Sequence, residues 1–435
     1  MVRNDMNDQS EDSAIAFPRK PLPPRFCNLE RLLDTMEARG LNGIVATTPL
    51  NVFYLSSFNG IGHKSDEPRP YAVILSRHAP DHPILVIADY YLSTFLAQPS
   101  WIEDIRPFRA VMMGLDLPQK ATDIDRFLPT SDAQPTWLAK ARDNYTFDMT
   151  SNVHGALKEL GLMQGNIAFD DMAFGFRLGL DGIDVRDGYD TLMSARAVKT
   201  SAELSLIERA TALNQQAIER TVASWRPRTS WRNINESYHQ TSVELGGFIH
   251  DPGGMVWGHP RGADPMITLQ TGLEDFDAAP GTHVLFDCHG TLDLYCWDGG
   301  KTWVIGDEPN NAAKTHADAV SKVAETLIDA MRPGTRISQL QTLGRETYRK
   351  CGVSDADAAL IFFHGLGLSH MDLEMTTADG KPNGDWALEE NMVVPLHLLY
   401  PGGETERIWL EDVVVVTASG GRPLFTWGLH PFITA

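Results

Sequence analysis

Asp287 lies inside an apolar run, Val284-Leu285-Phe286-Asp287-Cys288-His289. Asp298 follows eleven residues later, after Tyr295-Cys296-Trp297 and before Gly299-Gly300-Lys301-Thr302. A carboxylate on a core strand is expensive unless something pairs with it. Alternation puts Leu285, Asp287 and His289 on one face of a strand. A hairpin near residue 290, returning through Leu294–Asp298, brings the two carboxylates together, where they can share a cation. Three more candidate ligands lie downstream. His364 stands between the apolar Leu360-Ile361-Phe362-Phe363 and the tight Gly365-Leu366-Gly367. In Val393–Leu399, His397 shares a face with Val393, Pro395 and Leu399. In Arg407–Val416, Glu411 shares a face with Arg407, Trp409 and Val413. If these two strands pair antiparallel, His397 and Glu411 converge. The set Asp287, Asp298, His364, His397 and Glu411 mixes carboxylate and imidazole, which suits Mn, Fe or Zn better than Mg or Ca.

Each residue alone has a plain structural use. Asp287 and Asp298 can be strand-end residues satisfied by turn amides. A lone His364 or His397 is most often a hydrogen-bonded core imidazole. Glu411-Asp412 can be a solvated strand end. The full set, in this order and on strands, is what points to a metal. His259 and His289 stand closer to structural roles, His289 because it sits at the turn.

Elements must position these side chains, and 435 residues are enough for two domains with ample cores. A net charge of −20 argues against nucleic acid or an anionic membrane as partner. There is no apolar run long enough to span a bilayer. Residues 1–25, polar and then Pro-rich without an apolar signal core, read as a disordered tail or arm. Four cysteines, Cys27, Cys288, Cys296 and Cys351, show neither zinc-like spacing nor a disulfide framework, so a reducing cytoplasm is expected.

Residues 26–187 read as an α/β domain. A helix over Asn28–Arg39 ends at Gly40. Strands are expected at Gly43–Thr47, Asn51–Leu55, Tyr71–Ser76, Pro83–Ala88 and Asn166–Asp170. A second domain, 188–435, follows a junction near 186–200. Thr200-x-x-Glu203 is a capping box opening a helix to about Trp225. Further helices are expected over Ala312–Met331 and Ile337–Lys350, with strands at 283–289, 294–305, 392–400 and 407–417. Helices with antiparallel hairpins make this half α+β.

The chain resembles the creatinase, prolidase, aminopeptidase P and methionine aminopeptidase family over about residues 28–425. Arg196-Ala197-Val198-Lys199-Thr200-x-x-Glu203 looks like that family's domain junction. Asp287 and Asp298 match its two aspartates, Lys301-Thr302 its Arg-Thr, His364-Gly365-Leu366-Gly367 its metal-histidine motif, and Leu410-Glu411-Asp412 its last, bridging glutamate. Met392–His397 aligns with the segment that ends in a ligand glutamate. The resemblance implies a pita-bread catalytic domain over 188–435, one or two divalent transition ions (Fe, Zn or Mn), a homodimer and a small-molecule substrate.

Departures from the pattern shape the expected activity. His397 replaces a terminal ligand glutamate, which keeps a ligand and removes a negative charge. Met266 stands where the family's peptidases carry a histidine, with His259 as a candidate substitute. Trp409 replaces an arginine common before the last glutamate. The second histidine after the Gly-x-Gly turn comes one residue early, as His370. An aspartate at that early position looks like the base in the related lyase of dimethylsulfoniopropionate. Asp66–Ala72 resembles a creatinase segment, Arg-Pro-Tyr-Ala, whose arginine binds the substrate carboxylate in the neighbouring subunit, a role that falls here to Arg69.

The expected activity is metal-assisted hydrolysis of a C–N bond in a small carboxylate-bearing substrate. His370 is expected to shuttle the proton or stabilise the developing oxyanion, and His259 and Glu374 are further catalytic candidates. Arg69, Met266 and Trp409 are the substrate-side candidates. A metal-dependent lyase and a non-catalytic binding module are the alternatives.

Overall fold

The computed structural model describes residues 22, 24–60, 70–98, 100–110, 124, 136–249, 255–258, 275–400 and 406–433. Arg69, His259 and Met266 lie outside the described residues, as does most of the N-terminal 25-residue segment.

The N-terminal half runs α1 (Leu29–Ala38), β1 (Gly43–Ala46), α2 (Pro49–Ser56), β2 (Tyr71–Ser76), β3 (Ile84–Ala88), α3 (Leu92–Ala97), β4 (Asp104–Phe108), α4 (Trp137–Asp143), α5 (Met149–Glu159), β5 (Gly165–Phe169), α6 (Met172–Arg177) and β6 (Ile183–Asp187). Its strands make one six-stranded mixed sheet in the order β4-β3-β2-β1-β5-β6. Strand β1 runs antiparallel to β2 and parallel to β5. Every residue of β2 and β3 is buried, as continuous apolar runs covered on both faces should be.

Asn51–Leu55 is not extended, contrary to the sequence reading; it is the middle of α2. Pro49 in the first turn supplies a helical φ where no donor is needed. The helix is buried all round from Asn51 to Ser56, so no 3.6-residue stripe betrays it.

The junction holds α7 (Tyr189–Ala197) and then α8 (Ser201–Ser224). The expected capping box opens α8: Thr200 N donates to Glu203 Oε2 at 2.8 Å and Glu203 N to Thr200 Oγ1 at 3.3 Å. A further helix, α9 (Trp231–Glu244), is absent from the sequence reading. Its buried face is only Trp231, Ile234, Tyr238 and Ser242, and Asn233 takes the place of Glu or Gln in its box.

The C-terminal half continues with β7 (Met255–Trp257), β8 (His283–Asp287), β9 (Gly290–Leu292), β10 (Tyr295–Trp297), β11 (Gly300–Val304), α10 (Asn311–Ala330), α11 (Ile337–Lys350), β12 (Leu360–Phe363), β13 (Val393–Tyr400), β14 (Ile408–Thr417) and β15 (Gly420–Pro423). A seven-stranded sheet runs β12-β13-β14-β11-β8-β7, with β15 beside β14. All its pairings are antiparallel. The stretch read as two strands, 283–289 and 294–305, is four short ones. Asp293 and Leu294, both at positive φ, form the two-residue turn between β9 and β10.

Alternation along β13 and β14 divides their side chains between two environments. Val394, Leu396, Leu398, Leu410, Val414 and Val416 pack with the apolar residues of α10 and α11. The odd-numbered set, His397 and Glu411 included, therefore points to the opposite face. Among the described residues no helix is long and apolar enough to cross a membrane.

Candidate metal centre

The register of β13 and β14 sets His397 directly against Glu411, with Nε2 3.2 Å from Oε1. His364 follows β12, with Nδ1 3.0 Å from the Gly365 carbonyl. That contact leaves Nε2 to face Asp298 Oδ2 at 3.3 Å. Asp298 ends the return of the hairpin, where Oδ1 accepts from Gly299 N at 2.9 Å. Gly299 has φ +88, and a Cβ there would meet the Glu411 carbonyl at 2.9 Å, so only glycine lets β11 start this close to β14. Asp287 closes β8; its Oδ2 accepts from Trp257 Nε1 at 2.9 Å and its Oδ1 lies 3.0 Å from His289 Nε2.

One donor atom each of Asp298, His364, His397 and Glu411 falls within a 4.8 Å span, and all four residues are buried. Donors around one ion at bond lengths of about 2.1 Å lie at most about 4.2 Å apart, so small side-chain rotations suffice. The donor atoms are also orphaned. His364 Nε2, both nitrogens of His397, Asp298 Oδ2 and both oxygens of Glu411 are buried without a hydrogen-bond partner. Buried polar atoms usually find one; no hydrogen bond satisfies either nitrogen of His397, whose Nε2 meets the Glu411 carboxylate.

The electrostatics agree. Burial, and then the charges of Asp298 and Asp287, push the Glu411 carboxyl well above the usual range. Burial also presses on Asp298, but the charge of His289 and the approach of His364 and His370 outweigh it and hold Asp298 well below that range. Burial, then the neighbouring His364, drives His397 well down, so its ring is neutral and ready to ligate. No lysine or arginine among the described residues pairs with Asp287, Asp298 or Glu411. A carboxylate cluster of this kind calls for a cation. Two imidazoles with two carboxylates fit Zn or Fe, and Mn less well.

Around the set, Phe362 stacks on His397 with ring centroids 4.0 Å apart, and buried Trp409 meets the same ring edge-on at 5.5 Å. His370 is 44% exposed and sets Nε2 2.9 Å from Asp298 Oδ2. Glu374 is placed elsewhere: Arg39, at the C-terminal cap of α1, holds it at 2.9 Å. Lys301 points away too. Its Nζ donates to the Gly428 and Trp427 carbonyls at 2.5 and 3.2 Å, and burial lowers it to about 8.

His289, read from the sequence as closer to a structural role, faces both aspartates. It lies 3.0 Å from Asp287 and 3.5 Å from Asp298. Its place on the Asp287 face was the available signal. Burial opposes its charge, but Asp298 and then Asp287 raise it to about 9.

The loop carrying His364 and His370 is folded around a residue the sequence did not single out, Asp372. This carboxylate accepts from Leu368 N at 3.0 Å and Ser369 N at 3.1 Å. It is paired with Arg196 and, at 3.4 Å, with Lys199, all fully buried. Arg196 also donates to Ser369 Oγ at 2.5 Å and, across to α2, to Asn51 Oδ1 at 2.8 Å. The junction motif thus clamps the histidine loop. Gly367 is required because a Cβ would overlap Asp372 Oδ2. An Asp372→Ala protein leaves two cations buried and unpaired, and is expected to lose about 3–5 kcal/mol in urea unfolding. A loss under about 1 kcal/mol would show that the clamp is not structural.

An α/β domain joined to an antiparallel sheet that gathers imidazoles and carboxylates is the pita-bread arrangement. Residues 205–418 carry a divergent version of the domain of the family described as metallopeptidase family M24. The chain is 26% identical over 232 residues to an uncharacterized peptidase of Staphylococcus aureus. That match spans 53% of this chain and 63% of the relative, so it covers less than two thirds of the relative's length. The dipeptidase of Pyrococcus horikoshii superposes with TM-score 0.68 at 17% identity, covering 93% of this chain and 99% of that one. The X-Pro aminopeptidase of Thermotoga maritima gives 0.65 at 17%, covering 94% and 99%. At such identities the two structures speak for the fold alone.

Proposed function

We propose that this protein is a metal-dependent hydrolase of a C–N bond, amide or amidino, in a small carboxylate-bearing molecule. The observation that carries the reading is the convergence of four buried residues whose orphaned donor atoms span 4.8 Å. The domain match supports it, and so do the fold neighbours, a dipeptidase and an X-Pro aminopeptidase by name.

A divalent transition ion at this centre supplies Lewis acidity toward a substrate carbonyl and an acidified water. Asp298, His364, His397 and Glu411 would hold the ion, with Asp287 as a further candidate ligand. Phe362 and Trp409 cover His397 and keep water from that side. His370, half exposed and fixed by the Asp372 clamp, carries the proton to the leaving nitrogen. Glu374 is already engaged by Arg39, which favours His370 for that work.

Trp409 against His397 removes a cation from the substrate side, so general Xaa-Pro dipeptides are expected to be poor substrates. The test joins elemental analysis of protein purified without added metal to a panel of Xaa-Pro dipeptides, N-acyl amino acids and amidino acids. Mn, Fe, Zn or Co in the protein, with turnover of an acyl or amidino acid lost on chelation, is the expected result. No metal and no activity on adding one would sink the reading, and fast cleavage across the dipeptides would overturn its substrate class.

The position of His370 favours a second reading, a lyase in which this imidazole abstracts an α-proton. Product analysis separates the two, because elimination leaves an alkene and hydrolysis an amine. A homodimer completes the proposal, with Arg69 reaching the partner's site. Sedimentation as a monomer at micromolar concentration, or unchanged kinetics in Arg69→Ala, counts against that assembly.

A further inference from the structure

We propose that an apolar shelf beside the metal centre, formed by Leu360, Phe362, Leu399 and Trp409, binds the acyl group of the substrate, which is then an N-acyl amino acid with an aliphatic or aromatic acyl chain. The proposal rests on the hydrolase reading above and deepens it by choosing acyl over amidino.

Strand register builds the shelf. Leu360 pairs with Leu399, and Phe362 with His397, across β12 and β13. Leu399 pairs with Trp409, and His397 with Glu411, across β13 and β14. Two neighbouring rows of side chains therefore cross the sheet. One, Phe362-His397-Glu411, carries candidate ligands; the other, Leu360-Leu399-Trp409, runs beside it. Ile361 and Phe363 pack with the residues of α10 and α11. Alternation then turns Leu360 and Phe362 to the face that holds His397 and Glu411.

Exposure shows what is left to cover. Leu360 is 52% exposed and Phe362 40%, whereas Ile361 and Phe363 between and after them are buried. Leu399 is half-buried. Phe362 lays its ring on the His397 imidazole, with centroids 4.0 Å apart and an interplanar angle of 18°. The shelf thus begins at a candidate ligand of the ion, where the reacting carbonyl of a substrate has to come. None of its four side chains carries a charge. An amidino group placed on it would lose water without gaining a partner, whereas an alkyl or aryl chain gains by leaving water. The competing occupant is a second copy of the chain, because β12 is the end strand of its sheet.

The test titrates the Zn(II)-loaded full chain calorimetrically with acetohydroxamic and octanohydroxamic acids. Their chelating oxygens stand in for the substrate carbonyl and the attacking water, and only the chain differs between them. The octanoyl compound is expected to bind about 10–100-fold more tightly, as burial of a few methylenes requires. Leu360→Ser and Phe362→Ser are each expected to cut that ratio at least about threefold, whereas Phe362→Leu keeps most of it. The ratio is the readout because lost packing on His397 would weaken both acids together. Leu360 lies in the outer row, so Leu360→Ser serves where Phe362→Ser loses its ion; elemental analysis and melting curves of each variant check ion and fold. With Zn(II) bound to wild type, equal affinities for the two acids, or none, overturn the shelf and leave the metal centre standing. A ratio unchanged in the serine variants that keep Zn(II) overturns it too, and a wild-type dimer that Leu360→Ser turns into a monomer would then make the shelf a contact between copies. No Zn(II) uptake by wild type overturns the hydrolase reading and the shelf together.

Discussion

Metal-free Glu411→Gln protein should melt at a higher temperature than metal-free wild type near neutral pH. The Glu411 carboxylate is buried, pairs with no lysine or arginine among the described residues and faces Asp298 and Asp287. Its pKa in the folded protein is raised above the unfolded value, first by burial and then by those two charges. For an acid shifted this way, stability is fully present while the group is protonated, below the unfolded value. It is lost as pH rises toward the raised folded value. The gap between variant and wild type should therefore widen as pH rises above the ordinary carboxylate range. Each 1 kcal/mol relieved moves the melting point by about 2–4 °C for domains of 150–250 residues. Added metal reverses the order. Wild type gains about 2.7 kcal/mol at a concentration 100 times the dissociation constant, whereas the glutamine protein gains little because a charged ligand is gone. Calorimetry with and without Zn(II) reads both signs. A glutamine protein less stable than wild type in both states would show that Glu411 is held by something other than an ion.

The second large effect concerns His397. An imidazole in this centre is already neutral, because burial has driven its proton affinity down. Its removal should cost metal affinity without unfolding the chain. Loss of a group that merely supports a ligand costs about 10–100-fold in affinity or activity, so His397→Ala is expected to lose at least about 100-fold in both. His397→Glu should still hold metal, with preference moved from Zn or Fe toward Mn. The same variant should be less stable without metal, since it sets another carboxylate against Glu411, where Nε2 now lies 3.2 Å from Oε1. Metal content and turnover unchanged in His397→Ala would make His397 a packing residue. Asp298, His364 and Glu411 would then have to serve alone.

Most of the secondary structure was legible because its signals are local. The capping box at Thr200, the third-turn stripes of α10 and α11, and the alternation in β13 and β14 depend on neighbours a few residues away. Helix α2 was lost because burial on every side erases periodicity, and α9 because its apolar stripe is thin. Alternation also put His397 and Glu411 on faces able to meet. Their convergence followed once the strands paired in the register that sets residue 397 against residue 411.

From the sequence alone came the residue types, their order along the chain and the faces they occupy, and these sufficed to read the kind of chemistry. Tertiary structure decided what no local pattern carries. Distances between side chains more than a hundred residues apart depend on strand register and loop closure. It was the closure of the Asp372 clamp by Arg196, 176 positions away, that folded the histidine loop and set His370 over Asp298. Whether a histidine packs, carries a proton or binds an ion depends on which charges surround it in space. Chain folding, not spacing, sets those neighbours.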